Sequence, residues 1–107
     1  MAQEIWNGEQ YEKMLVEPLG QVGVARQLAA SSGSTNTQLT STCQRITVRA
    51  VTADIRYAIG NVAQIATASG HFIASGERLD LAVPLNANIA VIRNASTDGT
   101  LELTELI

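Results

Sequence analysis

Over the last 65 residues of this chain, apolar side chains recur at alternate positions in short runs separated by turn residues. A period of two belongs to a strand with one buried and one wet face, so the pattern restricts this stretch to β structure. Ile46, Val48 and Ala50 share one side of the first run, with Arg45, Thr47 and Arg49 on the other. Ile55, Tyr57 and Ile59 repeat the device until Gly60-Asn61 breaks it. Val62 to Ala68 reads as a weaker strand of small residues, ended by Ser69-Gly70, and His71 to Ala74 as a short one. Phe72 and Tyr57 both read as inward-facing. After Gly76-Glu77, Leu79, Leu81 and Val83 alternate inward until Pro84, which cannot donate to a ladder. Ile89-Ala90-Val91-Ile92 is unbroken and predicts a strand covered on both faces. Asp98-Gly99 is a hairpin signal. It predicts that Ile89 to Arg93 pairs with Leu101 to Glu105 across a turn holding Gly99 at positive φ. Six or seven such strands predict an all-β fold, a small antiparallel β-sandwich of jelly-roll type.

The chain before residue 43 reads differently. Asn7 and Gln10 form a loose capping box, and Tyr11, Met14 and Leu15 follow at helical spacing before Pro18. This predicts a short amphipathic helix over 8–16, flanked by Trp6 and too short to stand alone in water. Val22, Val24 and Leu28 alternate with polar or small residues, as in a half-exposed strand or an extended arm, and SSGSTNTQ suits a flexible loop. The expected division is therefore a helix and arm over 1–42 and a β-sandwich body over 43–107. Trp6, Tyr11, Met14, Leu15, Val22, Val24 and Leu28 are the candidate interface residues.

Size and charge narrow the function. A domain of about 60 residues buries only about 60% of its chain surface and is marginal alone. This body has one Phe and no disulfide, since Cys43 is the single cysteine. The missing stabilisation is expected from the arm, from sister subunits, or from both. Charged residues make up 16% of the chain, against roughly 25% in soluble domains, which leaves much uncharged surface for a partner. A net charge of −3 with scattered arginines argues against nucleic acid. No apolar run has membrane-spanning length, and MAQEIWNGEQYEK lacks the features of a signal peptide.

Candidate chemistry is sparse. His71, the one histidine, excludes a multi-histidine metal site but could activate Cys43, with Asp54 orienting it. The simpler expectation is a strand-edge histidine and a small buried cysteine. Asp54, Glu77, Asp80, Asp98 and Glu102 fall at turns or on polar strand faces, where solvated charge is expected. Asn94-Ala95-Ser96 fits the glycosylation pattern but is read as chance. No catalytic, cofactor-binding or metal-binding residue is expected, and no enzymatic activity.

Two runs, VRAVTADIRYAIG at 48–60 and SGERLDLAVPLNANIAVIR at 75–93, resemble segments of small structural proteins of tailed bacteriophage virions. Val83-Pro84, Ala87, Ile89-Ala90, Ile92-Arg93 and Gly99-Thr100-Leu101 carry the pattern. The resemblance implies a non-enzymatic virion protein, made in the host cytoplasm. Its expected role is a capsid decoration or cementing protein that bridges subunits of the major capsid protein, with no cofactor and as a trimer. A head–tail connector or tail component is the first alternative. A small ligand- or carbohydrate-binding module is the second.

Overall fold

A computed structural model of the chain describes residues 21–107. The helix expected at 8–16, with Trp6, Tyr11, Met14 and Leu15, lies outside the described residues. Eight strands follow in order: β1 Val22–Ala30, β2 Thr35–Gln38, β3 Arg45–Val51, β4 Ile55–Gly60, β5 His71–Ile73, β6 Arg78–Ala82, β7 Asn88–Arg93 and β8 Gly99–Leu106. They form two four-stranded antiparallel sheets, ordered β1-β8-β3-β6 and β2-β7-β4-β5. The core lies between them. Leu28, Ile46, Val48, Leu101 and Leu103 come from the first sheet, and Ile55, Tyr57, Ile73, Ile89 and Val91 from the second.

The alternation expected in β3, β4, β6 and β8 is borne out. Ile46, Val48 and Ala50 are buried, Leu79 and Leu81 pack against the core, and β6 stops at Ala82, short of Pro84. Residues 22–38, expected as an arm and loop outside the body, instead supply one strand to each sheet. β1 pairs with β8 at seven positions from Val22↔Leu106 to Ala30↔Gly99, and β2 pairs with β7. The expected division at residue 42 therefore falls on the link between β2 and β3, inside the fold. Its cause is the composition of β1: only Leu28 and Ala30 of that strand are buried, too few for the alternation to stand out.

The β7–β8 hairpin does not form. β7 lies between β2 and β4, and β8 lies between β1 and β3 in the opposite sheet. Residues 94–98 cross from sheet to sheet, as residues 52–54 do between β3 and β4. The two crossings meet at one end, where the Asn94 amide donates to the Asp54 carbonyl at 3.1 Å. The earlier crossing passes through Thr52, whose φ of 79° is rare for a β-branched residue. Gly99 is not among the glycines at positive φ; its missing side chain serves close packing instead. A Cβ there would lie 3.0 Å from the Val51 carbonyl oxygen and 3.1 Å from the Ala53 Cβ. Gly99→Val should therefore destabilise the fold by roughly 1–3 kcal/mol through overpacking. A thermal melt equal to that of the unaltered protein would show that the two crossings can move apart.

The predicted strand at 62–68 is also absent. The connection from β4 to β5 folds over the outer face of the second sheet. The Gln64 amide donates to Asn36 Oδ1 at 2.9 Å, and the Ala66 amide donates to Ser34 Oγ at 2.8 Å. Ala66 is buried, and so is Ala90, which occupies the face opposite the core between Ala58 and Asn36. β7 is thus covered on both faces, as its unbroken apolar run predicts. Small residues leave the connection room to lie flat, and its amides find side-chain acceptors instead of a strand partner.

Candidate functional site

The sequence's catalytic candidates do not come together. Cys43 lies just before β3 and Asp54 just after it, so the strand separates them by about 20 Å. Cys43 is buried, and its thiol donates to the Arg45 carbonyl at 3.2 Å. His71 lies on an edge strand of the other sheet, its ring tilted against that of Tyr57 with centroids 5.4 Å apart. Burial, with Glu77 nearby, holds the Tyr57 hydroxyl above its ordinary pKa. Asp54 accepts the Ser75 amide at 2.8 Å and Glu77 accepts the Ala74 amide at 2.9 Å, so both carboxylates pin one turn. Asp98 meets Arg93 at 2.7 Å on the surface, where such a pair contributes little. Among the described residues, no group of three His, Cys, Asp or Glu side chains gathers to hold a metal.

Of the seven candidate interface residues, three are described. Val22 is 76% exposed, Val24 is exposed as well, and Leu28 is 7% exposed within the core. Val22 and Val24 lie where a bulge between Val22 and Ala25 interrupts the pairing of β1 with β8. Beyond the bulge the strand is regular. Arg26, Leu28 and Ala30 turn inward or toward the core edge, while Ala25, Gln27 and Ala29 are exposed. β1 is the longest of the four edge strands among the described residues, and Arg26 is its only charged residue.

Beneath β1 lies a polar device that the sequence pattern passes over. Glu105 continues the inward series Leu101 and Leu103 and is only 3% exposed. Its Oε2 accepts Arg26 Nε at 2.8 Å and the Thr40 amide at 3.1 Å. Burial pushes the Glu105 carboxyl up, but hydrogen bonds from the Thr40 hydroxyl and amide and the charge of Arg26 outweigh it and hold the carboxyl below its ordinary pKa. The cluster joins β1, β8 and the β2–β3 link. Beside it, Thr40, Thr42 to Arg45 and Glu105 to Ile107 line a shallow cleft of about 250 Å³. Glu105 was not singled out from sequence among the carboxylates. The available signal was its odd-numbered position, in register with Leu101 and Leu103.

Phe72 departs from expectation. It is 41% exposed on the outer face of the second sheet, because Ile73 takes the inward position opposite Ile55. The Arg56 guanidinium lies 4.7 Å from the centroid of the Phe72 ring, in cation–π geometry. Arg56 is itself fixed by Asn94 Oδ1 at 2.9 Å and the Gly70 carbonyl at 3.0 Å.

No protein-family model, curated protein or solved structure matches the chain.

Proposed function

We propose that this protein is a non-enzymatic structural component of a tailed-phage virion, a decoration or cementing protein seated on the major capsid protein. The observation that carries the reading is where the virion-like motifs fall. Ile89, Val91 and Leu101 are core residues, and Val83 and Ala87 are buried around Pro84. The shared pattern is thus a fold-building one, carried by β4, β6, β7 and β8. We read the sheet orders β1-β8-β3-β6 and β2-β7-β4-β5 as an eight-stranded jelly roll, an architecture used in viral capsid and lectin domains. Fold alone does not assign function, so the reading rests on motif and architecture together.

A second reading, a small carbohydrate-binding module, is favoured by one observation. Phe72 offers an exposed ring, and sugars stack on such rings. Arg56 already lies over that ring, which leaves less of it for a ligand. A cryo-EM reconstruction of particles carrying the protein tests both readings. The expected result is density for the sandwich on the outer shell, touching more than one capsid subunit. Density confined to the neck or tail would make the protein a connector or tail component. Absence from particles, together with glycan binding lost in Phe72→Ala, would replace the virion reading.

A further inference from the structure

We propose that β1 is a pairing edge for a second copy of this chain, joined antiparallel about a two-fold axis. The comparison of the four sheet edges carries this. An unpaired edge strand exposes a row of backbone donors and acceptors, and proteins guard it by shortness, charge, proline or cover. β2 has four residues and β5 three, too short for extended pairing. β6 has five, with Arg78 and Asp80 facing outward and Pro84 just beyond its end. β1 has nine residues, and its only charge, Arg26, is turned to Glu105. Over Ala25 to Ala30 it has no proline, no outward charge and, among the described residues, no strand on its free side.

Charge selects the occupant. In a two-fold antiparallel pairing the residue on the axis meets its own copy, and every other residue meets a different residue of the second copy. β6 centred on its middle residue would set the two copies of Asp80 face to face, whereas Gln27 at the centre of Ala25 to Ala29 sets no charge against itself. The chain's own first 20 residues hold four glutamates and one lysine, and this neutral edge offers them no complement. An antiparallel pairing centred on Gln27 sets Ala25 opposite the second copy's Ala29. It would join two four-stranded sheets into one of eight strands. This is a two-fold arrangement, distinct from the trimer that the virion resemblance implies, and it does not depend on that resemblance.

Sedimentation equilibrium and amide hydrogen exchange on the full chain test it. A dimer at micromolar concentration is expected, with amide protection in β1 that rises with protein concentration. Gln27→Lys and Gln27→Glu each place like charges face to face and should each weaken the dimer at least about tenfold. Mixing the two variants should restore pairing, which a folding defect would not do. A monomer throughout, a trimer, or a dimer indifferent to both substitutions would overturn the proposal.

Discussion

Arg26→Ala is expected to lower stability at neutral pH by about 3–5 kcal/mol, toward the lower end because Arg26 is itself partly exposed. The loss arises less from the attraction removed than from the carboxylate left behind. Glu105 is nearly enclosed, and without Arg26 it keeps only the Thr40 contacts. Burial then weighs more heavily on the carboxyl, so its pKa should rise in the variant. In the unaltered protein the sign runs the other way. The folded-state pKa of Glu105 is depressed, so its stabilisation is complete above the unfolded value of about 4.3 and is lost as pH falls through the folded value. The unaltered protein should therefore lose stability in acid faster than Arg26→Ala does, and the gap between their melting curves should narrow below about pH 4. Replacing both residues, Arg26→Met with Glu105→Leu, should cost far less than either single change, since neither charge is then stranded. Denaturant unfolding of all four proteins at two pH values decides it. A strongly destabilised double variant would mean that Thr40 and the β2–β3 link depend on the carboxylate itself.

Ile89→Ala should destabilise by about 2–5 kcal/mol, the range for emptying a filled core position. Ile89 is fully buried, opposite Ile59 on β4 and Thr37 on β2, so it bears on three strands of one sheet. Its neighbour Ala90 is also fully buried, but on the other face, beneath the connection from β4 to β5. Ala90→Leu should cost roughly 1–3 kcal/mol by overpacking and should expose residues 61–69 to proteolysis, whereas Ile89→Ala should not do so selectively. Urea unfolding with limited proteolysis separates the two. Unchanged cleavage in Ala90→Leu would show that this connection is held by its hydrogen bonds to Ser34 and Asn36 rather than by packing on Ala90.

Side-chain alternation by itself determined which residues of β3, β4, β6 and β8 face the core. Successive side chains on a strand point to opposite faces whatever the strand pairs with. The unbroken run in β7 similarly announced two covered faces. Alternation contains no information about which strand lies beside which. The expected β7–β8 hairpin failed for that reason: among the described strands, only β4 and β5 are both consecutive and adjacent. Residues 94–98 had the composition of a hairpin turn, but sheet-to-sheet crossing uses the same turn residues. β1 and β2 were read as lying outside the body because their few buried side chains are matched by partners far along the chain, in β8 and β7. The ion pair of Arg26 with Glu105, 79 positions apart, was decided only by that pairing. So was the place of β1 at a sheet edge among the described strands. A strand becomes an edge through the placement of all the others, and its own residues record only how well that edge is guarded.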